Sequence, residues 1–298
     1  MSNTDLILQA LEPVNREGIR ANYVNEKYGT HSRNTFDMWL AESNKPTPLV
    51  IYIHGGGFIG GDKSKYYDSE DLVRFLKAGV SVATINYRFM TDAPFGIKAS
   101  MNDSKRCLQF IRYHAEKYNI DKERIACSGG SAGAGTALWL AFSDDMADPQ
   151  NEDPVLREST RLTCAGAFAT QSTYDIFQWK KIIGIPVAET REQLQAIAIA
   201  FGLNQNGIDL SAQKQIREEL DFLNKMNEND APVFVYNKHA AGIPTSQDDL
   251  NHHPLHAKAI KEKAEEVGLE AVVYAPEIGI VDPSGKDLVD FFLEKFFS

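Results

Sequence analysis

Arg124-Ile-Ala-Cys-Ser-Gly-Gly-Ser-Ala-Gly-Ala-Gly135 is the stretch that decides how the rest of the chain reads. An apolar run behind charged residues breaks into glycines, presents Ser131 within Gly129-x-Ser131-x-Gly133, and continues as Thr136-Ala-Leu-Trp-Leu-Ala-Phe142. That pattern predicts strand, sharp turn, helix. A strand-to-helix turn this tight strains the backbone at the serine and crowds both neighbours, which is why glycines flank it. The product is a serine hydroxyl at the tip of a sheet, beside a helix N-terminus that favours developing negative charge. The same five residues also suit a plain glycine-rich loop, so the surrounding chain has to decide between the two.

Working outward, strands and helices alternate. Residues 1 to about 30 read as a helix and an extended lead-in, and 34–40 alternate like an edge strand. Lys45-Pro-Thr-Pro48 reads as a turn, and Leu49-Val-Ile-Tyr-Ile53 as a fully apolar strand suited to the middle of a parallel sheet. Residues 71–77 form an amphipathic helix ended by Gly79, 80–85 a strand and 99–117 a helix. After the serine come an acidic loop over 143–159 and a strand over 162–168. Residues 176–229 read as a helical insert, with 3.6-residue spacing over 191–201 and 211–226. A strand at 232–236, a long polar loop from His239 to Leu250, a helix at 254–267 capped by Gly268 and a last strand at 271–274 follow. The C-terminal helix, 288–297, turns its phenylalanines to the sheet. The alternation predicts a mostly parallel sheet with right-handed crossovers and helices on both faces, in a single α/β domain over 1–298.

Composition bounds the function. With 24% charged and 43% hydrophobic residues among 298, the chain is an ordinary globular protein with room for a large core. A formal net charge of −10 argues against nucleic acid or an anionic membrane as a partner. Three cysteines, Cys107, Cys127 and Cys164, cannot all pair within one chain and read as reduced, buried thiols in a cytoplasmic setting. The N-terminus lacks the basic start of a signal peptide, and no segment is apolar for long enough to span a bilayer. A homodimer is left open.

A second motif raises the standing of the first. The strand at 49–53 runs into His54-Gly55-Gly56-Gly57-Phe58, whose consecutive glycines leave backbone N–H groups uncovered, a geometry suited to gripping an oxyanion. His54 beside such a loop is read as a backbone hydrogen-bonding residue rather than a base. His54–Phe58, Asn86-Tyr87-Arg88 and Gly129-Gly-Ser-Ala-Gly133, in that order and spacing, resemble the hormone-sensitive-lipase-like branch of the α/β-hydrolase superfamily, from about residue 35 to residue 142. The resemblance implies an α/β-hydrolase fold, Ser131 as nucleophile, and an oxyanion hole from the backbone N–H groups of Gly56, Gly57 and Ala132. It also implies that the 176–229 insert acts as a lid.

The resemblance breaks at the base. The superfamily's histidine lies in the loop after the last strand, here Ala275-Pro-Glu-Ile-Gly-Ile-Val-Asp-Pro283, and no histidine follows His256. The acid normally follows the preceding strand, where this chain has Asn237-Lys-His239. A serine hydroxyl needs a general base near neutral pH. The candidates are His239, His252, His253 and His54, and the choice falls on His253, because Pro254 suits a first helical turn and places His253 at or near an N-cap that keeps its ring neutral. A histidine that only caps the helix is the competing reading. Asp175 is taken as the orienting acid, keeping the order serine, acid, histidine, with Asp248, Asp249 and Asp282 as alternatives.

A metal reading of His252, His253 and His256 is weaker. Pro254 starts the helix too late to put His252 and His256 on one face, and no glutamate sits where a zinc-protease helix needs it. The expectation is therefore a serine carboxylesterase for small or medium acyl esters, with no cofactor and no metal. The rivals are a degenerate hydrolase that binds without turnover, and an amide or carbohydrate-ester hydrolase of the same fold.

Overall fold

Apolar runs bounded by charged or glycine-rich turns form an eight-stranded sheet in the computed structural model, which describes residues 14–15, 17–92, 96–184, 200 and 210–298. The strands are β1 (Tyr23–Lys27), β2 (Thr35–Trp39), β3 (Thr47–Ile53), β4 (Ser81–Asn86), β5 (Ile120–Gly130), β6 (Ala165–Phe168), β7 (Val233–Tyr236) and β8 (Ala271–Tyr274). The helices of the described residues are α1 (Glu70–Lys77), α2 (Ile97–Tyr113), α3 (Ala132–Ala141), α4 (Trp179–Ile183), α5 (Leu210–Leu220), α6 (Phe222–Lys225), α7 (Gln247–Asn251), α8 (Leu255–Val267) and α9 (Leu288–Phe297). The strands lie in the order β1-β2-β4-β3-β5-β6-β7-β8. Only the β1–β2 and β2–β4 pairs are antiparallel; the others are parallel. This is the α/β-hydrolase arrangement that the alternation and the motifs predict.

The pleat of the central strand shows how both faces are covered. Leu49, Ile51 and Ile53 of β3 pack in one core with Met101 and Leu108 of α2, Ala137 and Leu138 of α3, and Ile260 of α8. Val50 and Tyr52 point the other way, into a second core with Leu72 and Phe75 of α1 and Phe291 and Phe292 of α9. All three cysteines are buried free thiols. No helix among the described residues is long and apolar enough to cross a membrane.

Three local expectations change. The stretch 34–40 is not an edge strand: β2 lies inside β1 and is buried throughout. The misleading residue is Asp37, whose charge suggests a solvent face. It is instead fully buried, paired with the Lys63 ammonium and the Tyr67 hydroxyl, and it accepts from the Asn25 N–H at 2.7 Å. Thr47 and Pro48 belong to β3 rather than to a turn; proline is tolerated there because it stands at the start of the strand. The polar loop from His239 to Leu250 contains α7, started by a capping box between Ser246 and Asp249.

Of the 176–229 insert, α4, α5 and α6 are described, while the predicted helix at 191–201 lies outside the described residues except for residue 200, and any helix before residue 14 lies outside them too. Helix α5 is anchored by Arg217, which grips Asp175 with both arms at 2.9 and 3.0 Å, and by Glu219, which pairs with Lys98 of α2.

The β5–α3 turn depends on a close approach of two backbones. Ser131 takes φ +52°, a left-handed conformation rare for a residue with a side chain. A Cβ on Gly129 would sit 2.5 Å from the Ile53 carbonyl oxygen, and one on Gly133 would overlap that same oxygen outright. Gly133→Ala is therefore expected to cost about 3 kcal/mol or more in urea unfolding. Gly242→Ala, where a Cβ meets open space, should stay within about 0.5 kcal/mol of wild type.

Candidate active site

Ser131 is the N-cap of α3, and its N–H donates to the Phe168 carbonyl at the end of β6, 2.9 Å away. That bond and the left-handed turn aim the side chain away from the sheet tip. The N–H of Ala132, the first residue of α3, has no described acceptor. It is one of the donors a helix N-terminus always leaves over.

The Gly55–Gly57 loop abuts this turn. A Cβ on Gly55 would lie 2.6 Å from the Gly130 carbonyl and 3.3 Å from the Ser131 Cβ, so only glycine allows the approach. Gly56 and Gly57 have φ +115° and +60°. Among the described residues, none accepts from their N–H groups. The loop is held from behind. His54 is fully buried, with Nδ1 donating to the Gly55 carbonyl at 2.7 Å and its ring stacked on Tyr87 at 4.2 Å. Burial, with a contribution from the nearby Arg33, pulls its pKa down to about 4. His54 is therefore a neutral strut, with no contact to Ser131. Arg33 donates to the carbonyls of Gly61 and Tyr87, both at 2.9 Å, and tethers the far end of the loop to the strand.

The imidazole against Ser131 belongs to His252, at the C-cap of α7. Its Nε2 lies 2.8 Å from Ser131 Oγ. One helical turn earlier, Asp248 Oδ1 lies 3.0 Å from Nδ1. The carboxylate sits off the N–H direction, so the buried Nδ1 has no well-aligned hydrogen bond. With a carboxylate on that side, the ring proton belongs on Nδ1, which leaves Nε2 free to accept from the hydroxyl. Burial lowers the His252 pKa; Asp248 opposes that shift and His239 adds to it. The ring is therefore neutral near pH 7. Its backbone is braced from the strand ends. Asn237, after β7, donates to the His252 carbonyl at 3.0 Å, and Gln171, after β6, donates to the Asn251 carbonyl at 2.8 Å.

The residues expected to complete the site are elsewhere. His253 faces away from Ser131: Nε2 contacts the Gly242 carbonyl at 3.2 Å, and Nδ1 accepts from the Leu255 N–H at 3.2 Å, capping α8. The two histidines are adjacent, and the turn between α7 and α8 sends their rings in opposite directions. Asp175 is committed to Arg217 and contacts no histidine. Asp249 caps its own helix, and Asp282 accepts from the Ser284 N–H in the turn after β8. His256 is buried between Ser172 and the Leu250 carbonyl, so His252, His253 and His256 do not converge on a common point. His239 stands 4.9 Å from His252, ring to ring.

A signal for the His252 arrangement was present in the chain. Ser246-Gln-Asp-Asp249 is a capping box, and a helix begun there puts Asp248 and His252 on one face, four residues apart.

The fold and this serine–histidine arrangement define the α/β-hydrolase class. Within it, the chain belongs to the BD-FAE family, whose profile matches residues 36–241. It is similar to an esterase of Gibberella moniliformis, 32% identical over 134 residues, which are 45% of this chain and 41% of that protein. It is similar too to an acetyl esterase of Salmonella schwarzengrund, 33% identical over 107 residues, 33% of this chain and 31% of the other. The chain thus spans less than half the length of these curated relatives. Among solved structures, a truncated carbohydrate esterase from gut microbiota superposes over 93% of this chain and 96% of its own, with TM-score 0.66 and 16% identity. An acetyl ester-xyloside bifunctional hydrolase from Caldicellulosiruptor lactoaceticus gives TM-score 0.57 and 21% identity, over 80% of this chain and 75% of that one. At these identities the structural likeness is one of fold.

Site-resolved NMR titration of the imidazoles checks the electrostatics. His54 should protonate near pH 4, and His252 below the 6.5 of an unperturbed histidine. Asp248→Asn should move His252 lower still, because it removes the carboxylate that favours the imidazolium.

Proposed function

We propose that the protein is a serine ester hydrolase for small or medium acyl esters, with Ser131 as nucleophile, His252 as its base and Asp248 as the acid beside it. The observation that carries this reading is the 2.8 Å contact between Ser131 Oγ and His252 Nε2 at a left-handed elbow facing the Gly55–Gly57 loop. A serine hydroxyl alone is a poor nucleophile near neutral pH, and a neutral imidazole at this distance removes its proton as it attacks the ester carbonyl. The oxyanion then accepts from the N–H groups of Ala132, Gly56 and Gly57, for which no other acceptor occurs among the described residues. His252 returns the proton to the leaving alcohol, and water, activated by the same ring, releases the acyl group from Ser131. The short-acyl preference draws support from the acetyl esterase among the relatives.

Hydrolysis of p-nitrophenyl acetate, butyrate and octanoate, with an acetylated sugar as a further substrate, tests the reading. Ser131→Ala and His252→Ala should each lower kcat by at least about 10³-fold, and Asp248→Asn by about tenfold or more. His253→Ala should keep kcat within about threefold while losing about 1 kcal/mol of stability, the usual worth of a helix cap. Arg33→Ala should lower kcat about tenfold or more, because the oxyanion loop loses its tether. A wild type no faster than Ser131→Ala on every ester would replace this reading with that of a binding protein built on a hydrolase fold.

A further inference from the structure

His252 presents one nitrogen to Ser131 and leaves the other, buried and without a well-aligned partner, facing a carboxylate. Such a nitrogen calls for an explanation, since buried polar atoms are normally satisfied. A second imidazole, His239, stands beside it, and one ligand atom from each of His239, Asp248 and His252 can be chosen so that all lie within 4.8 Å of one another.

We infer that His239, Asp248 and His252 form a Zn2+ site, and that filling it switches the catalytic serine off by taking the Nδ1 of His252. Two imidazole nitrogens and one carboxylate oxygen are a donor set that zinc accepts, with water in the fourth position. Bonds of about 2.0–2.2 Å put tetrahedral ligands roughly 3.3 Å apart. The His252–Asp248 pair, at 3.0 Å, is within a few tenths of an ångström of that separation. The remaining atoms, all within 4.8 Å, have to close in by at most about 1.5 Å, within reach of side-chain rotation, since Asp248 is 72% exposed and His239 half-buried. The backbone is prepared as well. Asn237 alone holds two of the ligands, accepting from the His239 N–H at 2.9 Å and donating to the His252 carbonyl at 3.0 Å.

The consequence for catalysis rests on the triad proposed above. A metal on Nδ1 leaves the single proton of the neutral ring on Nε2, transferred there through solvent, with no covalent bond made or broken elsewhere. Ser131 Oγ then faces a donor instead of an acceptor, and its proton has nowhere to go. Holding the wrong histidine tautomer in a serine triad costs about 10⁴ in kcat.

The test uses the tag-free full chain. Co2+ absorption and competition of Zn2+ against a chromophoric chelator should report one ion per chain. His239→Gln and Asp248→Asn should each weaken binding about tenfold or more, and His253→Gln should not. The absorption intensity of bound Co2+ should be that of a four-coordinate site. In parallel, Zn2+ should abolish p-nitrophenyl acetate hydrolysis over the same concentration range, with full recovery on adding EDTA. No binding to wild type, or binding unchanged in His239→Gln and Asp248→Asn with both variants folded by circular dichroism, overturns the site. Serine-dependent turnover that persists with the ion bound overturns the switch. Ligand-dependent binding in a protein with no serine-dependent turnover leaves the metal site standing and overturns the esterase reading instead.

Discussion

Everything at the site depends on how closely helix α3 approaches strand β3. The carbonyl of Ile53 meets the backbone at both Gly129 and Gly133, and neither position has space for one added carbon. That contact forces the sharp reversal between β5 and α3, holds Ser131 at φ +52°, and sets the N-terminus of α3 beside the loop that leaves β3. The strain of the left-handed serine is borne by packing: α3 is buried along its whole length, and the serine N–H is bonded to β6. A serine held this way cannot relax without unseating the helix.

The Gly55–Gly57 loop is the other half of the same constraint. Its glycines are needed for approach and for positive φ, but their position is set by residues far away in sequence. His54 is locked under Tyr87, whose hydroxyl donates to the His54 carbonyl at 2.7 Å, and Arg33 ties Gly61 to the turn before β2. The buried Asp37–Lys63 pair anchors the segment just beyond, so the antiparallel edge of the sheet is mechanically connected to the loop. A buried ion pair is a weak source of stability, and its role here is better described as fixing one arrangement of that segment.

The imidazole at Ser131 arrives from an unexpected direction. No histidine follows β8; the imidazole against Ser131 and the carboxylate beside it both come from the segment between β7 and α8. Asn237, just after β7, stands where the superfamily usually has its acid; here it braces the His252 backbone. The arrangement keeps the Asp248 carboxylate on the surface while the His252 Nδ1 that it faces is buried.

The sequence by itself determined the α/β alternation, the elbow at Ser131 and the glycine loop at residues 55–57, because each follows from a local rule: period, φ preference, or the space a side chain needs. It was also sufficient to show that the usual histidine after the last strand is absent. It misjudged β2 because Asp37 alternates like a surface residue, while its partner Lys63 lies 26 positions away and the pairing exists only in three dimensions. It preferred His253 to His252 because proline placement was informative about the helix start and silent about which way two adjacent rings point. Only the tertiary structure decided that, through the turn between α7 and α8 and the braces from β6 and β7. The physical reason is that the Ser131–His252 contact joins residues 121 positions apart, and its direction is set by backbone geometry that no short-range pattern encodes.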